Sequence, residues 1–282
     1  MEFERTITDS VSLSDRGLHN GKMSRMTLLP APPGSGISFR RVDLPGNPEI
    51  RAGIESALGR DSRRRTVLKA PGGASVQTVE HLLSAAYAMG IDNLVVEVDS
   101  EELPFGDGSA LPMAELIRKA GITTQDKKRR TLVIEHPVLY RDTSQGDISV
   151  AALPWDGFAV TFFIEYPGTF IGSQALHLMV TPEAYEKEIA PAQTYGFWEE
   201  IEPLRAQGLI KGGDLDRAII IRENGYLNSE KVRFQDELVR HKILDLIGDL
   251  ALLGHRLKGH IVGKKSGHRH HVEFVKLLKE SA

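Results

Sequence analysis

Residues 78–99 read TVEHLLSAAYAMGIDNLVVEVD, an apolar helix pattern followed by a strand pattern. The first half of the chain is therefore predicted to contain a helix that is followed directly by a strand. Glu80 and His81 lie side by side where the predicted helix begins. An acidic residue is common in the first turn, because the helix dipole favours it there, and Thr78 is then a candidate N-cap. The alternative is a catalytic base next to a metal ligand.

A second helix pattern, DELVRHKILDLIGDLALLGHRL at 236–257, also precedes a strand pattern, HIVGKK at 260–265. The two halves of the chain therefore share a helix followed by a strand. This similarity suggests a duplicated unit. If the units are duplicated, their helices bring His81 and His241 together at the interface of the halves.

The second helix carries His241, Asp245 and Asp249 at intervals of four residues, so these side chains share one helix face. One interpretation is the exposed polar face of an amphipathic helix. The other is a metal site, because a buried carboxylate is costly unless it is paired or metal-bound. A catalytic zinc site needs three protein ligands, and His81 is the natural third. Glu80 then lies where it can take a proton from water at the metal.

A third candidate is GKKSGHRHHVEF at 263–274, where Gly267 makes a turn plausible just before His268. A histidine in such a loop can donate a proton to a leaving group. Spacing alone does not choose among His268, His270 and His271. A hydrogen-bonded surface histidine and a His-rich metal-binding tract are the alternatives.

Composition limits the classes of protein. The chain has 282 residues, 41% of them hydrophobic, no cysteine and a formal net charge of −3. Disulfides are therefore excluded, and nucleic acid and anionic membranes are not expected as partners. No secretory signal or transmembrane run is found, so we expect a cytoplasmic protein. The basic runs Arg63–Arg65 and Lys127–Arg130 lack interleaved aromatics and are expected to be solvated loops.

The polar stretch TTQDKKRRT at 123–131 is the predicted domain boundary. We place an N-terminal domain at 1–126 and a C-terminal domain at 127–282. Both halves mix helix and strand patterns without strict alternation, and neither has a glycine-rich dinucleotide fingerprint after a strand. The sequence therefore predicts an α+β fold in each half.

Separate stretches along nearly the whole chain resemble one family, in that family's order. They are RGLHNGKMSRMTLLPAPPGSGISFRRVD, RRTVLKAP, TVEHLLSA, GIDNLVVEVDSEELPFGDGSA, QTYGFWEEIEPLRAQGLIKGGDLDRAIII, LNSEKVRFQDELVRHKILDLIGDLALLG and KKSGH. The family is UDP-3-O-acyl-N-acetylglucosamine deacetylase, the zinc amidase of lipid A biosynthesis. The resemblance implies two similar domains, each a β-sheet with helices, with the helices packed between the two sheets.

The resemblance also implies the reaction and its residues. The implied reaction is hydrolysis of the N-acetyl group of a small-molecule substrate, UDP-3-O-acyl-N-acetylglucosamine, with the help of one Zn²⁺ ion. The implied setting is the cytoplasm of a Gram-negative bacterium, and the implied oligomeric state is a monomer. The implied roles are zinc ligands His81, His241 and Asp245; general base Glu80; catalytic histidine His268 with its orienting partner Asp249; oxyanion contact Thr194; and substrate contacts Lys242 and Tyr195.

The family's acyl-chain insert matches residues 191–221. Its apolar residues are Tyr195, Phe197, Trp198, Ile201, Leu204 and Leu209, a pattern that ordinary core packing explains equally well. The chain departs from the family at Gln193, where an arginine is usual, and at Gly106 and Asn20. His19, beside Asn20, either faces the substrate or stabilises its turn.

Two other functions fit the same residues. One is a zinc deacetylase that acts on another N-acyl sugar. The other is a non-catalytic module that binds an acyl-nucleotide or a metal, which the loss of Glu80 or His268 would have favoured. Both residues are present.

Overall fold

The structure is a computed structural model that describes residues 2–59, 64–144 and 146–281, so Arg63 of the first basic run lies outside the described residues. The strands of the described part are β1 (Phe3–Ile7), β2 (Val11–Arg16), β3 (Met23–Pro30), β4 (Ile37–Arg41), β5 (Glu49–Arg51), β6 (Val67–Lys69), β7 (Ser75–Gln77), β8 (Leu94–Val98), β9 (Ile122–Lys128), β10 (Thr131–Val133), β11 (Val138–Asp142), β12 (Ile148–Leu153), β13 (Phe158–Tyr166), β14 (Gly172–Met179), β15 (Tyr195–Phe197), β16 (Ile219–Arg222), β17 (Gly225–Tyr226) and β18 (Arg256–Lys264). The α-helices there are α1 (Glu80–Ala88), α2 (Leu111–Ala120), α3 (Pro182–Glu188), α4 (Trp198–Ala206), α5 (Glu237–Leu250) and α6 (His268–Glu280).

Two sheets share one topology. The first has the strand order β2-β3-β8-β4-β5, and the second has β11-β12-β18-β13-β14, with β10 as a sixth strand that pairs parallel with the start of β18. In both, the central strand pairs antiparallel on one side and parallel on the other, and the outer pairs are antiparallel. The central strands β8 and β18 each follow a helix, α1 or α5, and each precedes another. The predicted similarity between the halves is therefore present in the backbone.

The helices form a layer between the sheets. Helix α1 packs against α5, α5 packs on β13 and β14, α6 packs on β11 and β12, and α2 packs on α1 and β2. The buried apolar side chains of both halves form one continuous core. This arrangement confirms the predicted α+β class. Within the described residues, no helix is long and apolar enough to cross a membrane.

Helices α1 and α5 approach each other closely because α5 has a glycine at the contact. A Cβ atom built on Gly248 would overlap the carbonyl oxygen of Glu80, the first residue of α1. Side chains larger than hydrogen at this position would push the helices apart. The short separation brings the start of α1 to the face of α5 that carries Asp245 and Asp249.

The predicted domain boundary between residues 126 and 127 falls inside a strand. Strand β9 continues to Lys128 and pairs antiparallel with β1, whose Phe3 lies opposite Lys128. The expectation of a solvated loop across 127–130 is wrong in part: Lys127 and Lys128 belong to β9, although they and Arg130 are exposed as expected. Arg129 is largely buried, and its guanidinium pairs with Asp92 at 2.7 Å.

The long helix pattern at 236–257 ends earlier than predicted. Helix α5 stops at Leu250, a 3-10 turn covers Ala251–Leu253, and Gly254 follows with a φ of 74°. This left-handed conformation favours glycine and terminates the helix. Strand β18 then begins at Arg256, four residues before the predicted strand.

Candidate active site

Three predicted metal ligands lie together where α1 meets α5. Ligand atoms of His81, His241 and Asp245 all lie within 4.8 Å of one another, and all three residues are buried. The two imidazole rings have centroids 5.2 Å apart, and Nε2 of His241 lies 3.5 Å from Oδ1 of Asp245. The alternative of an exposed polar face on α5 is therefore wrong.

Neighbouring groups fix the orientation of these ligands. Nδ1 of His241 lies 3.0 Å from the carbonyl oxygen of Ala192, so a proton on Nδ1 leaves Nε2 free to bind a metal. The ammonium of Lys242 donates to Oδ2 of Asp245 at 2.7 Å.

The charge states of the three groups suit a divalent cation. Burial and the nearby His241 lower the pKa of His81 to about 3, and burial also lowers the pKa of His241. Burial opposes ionisation of Asp245, but Lys242 and the surrounding histidines hold the pKa of that carboxyl well below its usual range. Two neutral imidazoles and one ionised carboxylate are a donor set that zinc accepts. The residues present therefore fit a zinc ion.

Glu80 is the first residue of α1, and its carboxylate is held in place from a separate part of the chain. Oε2 of Glu80 accepts a hydrogen bond from the backbone N–H of Thr66 at 3.0 Å. Burial raises the pKa of Glu80 to about 7, with Asp245 and Asp249 adding to the rise and His268 opposing it.

Thr78 is not the N-cap that the sequence suggested. Val79 occupies that position, while Thr78 has a φ of 59° and donates its hydroxyl to Glu102.

His268 faces Glu80 from the other side of the site. It lies at the start of α6, not in a loop as predicted, directly after the N-cap residue Gly267. Its Nε2 atom is 3.9 Å from Oε1 of Glu80 and 3.9 Å from Oδ2 of Asp245. Burial disfavours the imidazolium, but Asp249, Asp245 and Glu80 outweigh it and raise the pKa of His268 to about 9.

The three histidines of 263–274 have distinct surroundings. Nδ1 of His268 lies 2.7 Å from Oδ2 of Asp249, and Nδ1 of His271 lies 2.7 Å from the same oxygen. His270 instead faces Asp142, at 3.6 Å. Of the three, only His268 points its other ring nitrogen at Glu80.

The site opens into a cavity of about 660 Å³ that the predicted insert helps to form. Thr194, Tyr195 and Lys242 line this cavity, as do apolar side chains of β15, α4 and β16. Helix α4 has no buried residue, which argues against ordinary core packing for this segment. Leu209 is not among the residues that line the cavity. The apolar residues of the insert that do so are Phe197, Trp198, Ile201, Leu204, Ile210, Leu215, Ala218 and Ile220.

His19 lines the cavity, and its backbone stabilises a turn as one of the two predicted roles required. Its backbone N–H and that of Asn20 donate to the carboxylate of Glu102, which stabilises the turn. Its ring is buried and lines the cavity, and neither ring nitrogen has a hydrogen-bond partner among the described residues. Gln193, where the family has an arginine, donates its amide to the carbonyl oxygen of Asp107 at 2.6 Å. This contact is to backbone and not to the cavity.

Two contributors to the site escaped sequence reasoning. Thr66 contacts Glu80 and Asp249, yet no periodic pattern marks it, because a hairpin far from α5 in sequence delivers it. Tyr166 of β13 lines the cavity, and its hydroxyl lies 2.7 Å from that of Tyr195. His271 had a usable signal, since it shares a helix face with His268 three residues earlier.

The family model and the relatives that match this chain all carry the same enzyme description. A family model described as UDP-3-O-acyl N-acetylglycosamine deacetylase matches residues 4–280. A UDP-3-O-acyl-N-acetylglucosamine deacetylase from Chromobacterium violaceum is 42% identical over 100% of this chain and 91% of its own length. One from Syntrophotalea carbinolica is 42% identical over 100% and 89%. One from an Anaeromyxobacter species is 44% identical over 94% and 84%.

Proposed function

The chain belongs to the UDP-3-O-acyl N-acetylglycosamine deacetylase family, and on that premise we propose that it hydrolyses the N-acetyl group of UDP-3-O-acyl-N-acetylglucosamine. The products are acetate and UDP-3-O-acyl-glucosamine, an intermediate of lipid A biosynthesis. One observation carries the proposal. The buried His81, His241 and Asp245 cluster lies beside a carboxylate and an imidazole that face each other across 3.9 Å.

We propose Zn²⁺ as the cofactor, held by His81, His241 and Asp245. A bound zinc ion would lower the pKa of water and polarise the acetamide carbonyl. The two imidazoles and the carboxylate suit zinc, and the chain has no cysteine, so no thiolate competes for the ion.

Glu80 is the general base in this proposal. A carboxylate with a pKa of about 7 is ionised in half the molecules at neutral pH and holds a proton strongly enough to take one from attacking water. As the C–O bond forms, negative charge develops on the carbonyl oxygen. The hydroxyl of Thr194, on the cavity wall, is the donor we assign to this oxygen.

Breaking the C–N bond requires a proton for the departing nitrogen. His268 carries a proton at neutral pH, because its pKa is raised to about 9, and its Nε2 faces the site. Glu80 can supply the same proton, since it has just taken one from water. Either route releases the amine. When Glu80 supplies the proton, His268 keeps its own, and its imidazolium balances the negative charge that develops.

The cavity is the proposed substrate site. Its apolar side chains from the insert suit the 3-O-acyl chain, and the ring of Tyr195 adds an aromatic surface beside them. Lys242 lies with its ammonium 5.8 Å from the centre of the Tyr195 ring, and we assign it to the anionic part of the substrate. We further propose that the protein acts in the cytoplasm. We also propose that it acts as a monomer, since all of the groups named here come from one chain.

The test is product analysis with the purified protein. UDP-3-O-acyl-N-acetylglucosamine and other N-acetylated sugars, including UDP-N-acetylglucosamine without the acyl chain, are incubated with equal amounts of enzyme. We expect one acetate per new primary amine, from the acylated nucleotide sugar only. Release from another N-acyl sugar alone would assign a different deacetylase, and no release from a folded, zinc-loaded protein would favour a binding module.

A further inference from the structure

Asp249 is a fully buried carboxylate, so its oxygens need hydrogen-bond donors within the site. It has no solvent exposure, and burying an ionised carboxylate is costly unless donors surround it. Its Oδ2 atom lies 2.7 Å from Nδ1 of both His268 and His271. The Oδ1 atom of Asp249 accepts a hydrogen bond from the hydroxyl of Thr66 at 2.5 Å. Among the described residues, Thr66 is the one donor to this oxygen.

Thr66 joins three helices at one point. Its backbone N–H donates to Glu80, and its carbonyl oxygen accepts from the backbone N–H of Thr78, so it is fixed to the start of α1. Its hydroxyl reaches Asp249 of α5 and lies 3.2 Å from Nδ1 of His268, at the start of α6. The fully buried Thr66 therefore holds the carboxylate of Glu80 and also contacts both Asp249 and His268.

His271 holds Asp249 from the opposite side. Because its Nδ1 faces Oδ2 of Asp249, its Nε2 can accept from the hydroxyl of Ser266, which lies 3.0 Å away. Its two ring nitrogens thereby have different partners, which fixes one neutral tautomer with the proton on Nδ1. Asp249 is thus oriented by two neutral donors, Thr66 and His271, which leaves its charge available to His268.

We infer that Thr66 and His271 are positioning residues that act through Asp249 to hold the His268 imidazole against Glu80. The inference rests on the proposed deacetylase function. Neither side chain is needed to touch the substrate. Each sets the direction of a carboxylate whose charge and geometry determine where Nε2 of His268 points.

The first test compares Thr66→Val with Thr66→Ser. Valine keeps the shape and the backbone contacts to Glu80 but removes the hydroxyl, whereas serine keeps the hydroxyl. For Thr66→Val we expect kcat to fall by about 10- to 100-fold, the loss that follows from removing a hydrogen bond to a buried charge, with KM and zinc content unchanged. Thr66→Ser should stay within about threefold of the unaltered enzyme, because its hydroxyl is retained.

A kcat of Thr66→Val close to that of the unaltered enzyme would overturn the inference. So would equal losses for the valine and serine variants, since that would indicate packing alone. If Thr66→Val does not fold, His271→Asn and His271→Leu take its place. Asparagine keeps an N–H donor and should preserve kcat, whereas leucine should lower it at constant KM; equal activity of the two would contradict the inference.

A second readout separates this inference from the proposed function. The Nδ1–H proton of His268, shared with Asp249, should give a downfield NMR resonance in the unaltered protein. We expect Thr66→Val to shift or abolish this resonance and Thr66→Ser to preserve it. If the unaltered protein releases no acetate, the proposed function fails while this spectrum still tests the positioning role. An identical resonance in all three proteins would refute that role.

Discussion

In the proposed reaction, Glu80 acts as the base and His268 as an acid. Glu80 and His268 face each other in a buried site, where desolvation favours the neutral carboxyl and three carboxylates favour the charged imidazole. Their pKa values are therefore both raised, to about 7 and about 9. The competent form has Glu80 ionised and His268 protonated, and it is most abundant between these two values.

We therefore predict a bell-shaped dependence of kcat/KM on pH. Activity rises as Glu80 loses its proton near pH 7 and falls as His268 loses its proton near pH 9. Glu80→Gln, which cannot take a proton, should lower turnover by about 100-fold or more at unchanged zinc content. The residual activity should lack the acidic limb. Glu115→Gln, on the exposed side of α2, is the control. A full acidic limb in Glu80→Gln would contradict the role of Glu80.

The fit between secondary-structure elements explains how α1 brings Glu80 to α5. The sequence predicted both helices, and it marked His241, Asp245 and Asp249 as one face. It did not predict that Gly248 permits the close contact, because only the packed pair shows what a Cβ would meet. Periodicity also missed Thr66, whose role depends on long-range packing between a hairpin and α1. The end of α5, set by Gly254, lies a few residues before the predicted end, and His268, expected in a loop, begins α6 directly after Gly267.

Gly248→Ala tests the contact between α1 and α5. Alanine in a helix interior is favoured over glycine by about 1 kcal/mol, but overpacking costs about 1–3 kcal/mol. Because the added Cβ would meet the backbone of Glu80, we expect the overpacking cost to prevail. Tm should fall by several degrees and turnover should drop as Glu80 moves. Gly72→Ala, where a Cβ meets nothing within 4 Å, is the control. A raised Tm with full activity would disprove the tight contact.

The apolar cavity wall formed by the insert at 191–221 predicts how KM depends on acyl-chain length. Ile201 of α4 lines the cavity, whereas Leu209 does not. Truncating Ile201 to alanine removes apolar surface from the cavity wall that we assign to the acyl chain. We expect Ile201→Ala to raise KM for a long-chain substrate by about 3- to 10-fold more than for a short-chain one. Leu209→Ala should affect both substrates equally. A uniform change across chain lengths for Ile201→Ala would place the acyl chain elsewhere.

An ion-pair network links the two halves of the chain near the paired strands β1 and β9. Asp92 pairs with Arg129 at 2.7 Å and with Arg256 at 3.2 Å, and all three side chains are largely buried. The sequence predicted an α+β fold with repeated halves, and the matching topology of the two sheets confirms that reading. It did not foresee this network, because Arg129 was read as part of a solvated basic run. The division of the chain at residue 126 stays a prediction.

Removing the charge of Asp92 tests this network. Asp92→Asn leaves Arg256 without its carboxylate partner and Arg129 with the exposed Glu2 alone. Breaking a buried ion pair typically costs about 3–5 kcal/mol. We expect Tm to fall by about 5 °C or more. Asp156→Asn, which removes an exposed partner of Lys258, should leave Tm within about 1 °C. Equal Tm values for the two variants would contradict the structural importance of Asp92.

The most direct measurement of the central claim follows acetate release through removal and return of the metal. Purified protein is treated with a chelator, assayed on UDP-3-O-acyl-N-acetylglucosamine, and then titrated with Zn²⁺ while acetate and bound zinc are both quantified. We predict that release is lost with the metal and returns in proportion to zinc, with full activity at one ion per chain. Undiminished release from a protein shown to contain no metal would contradict the account.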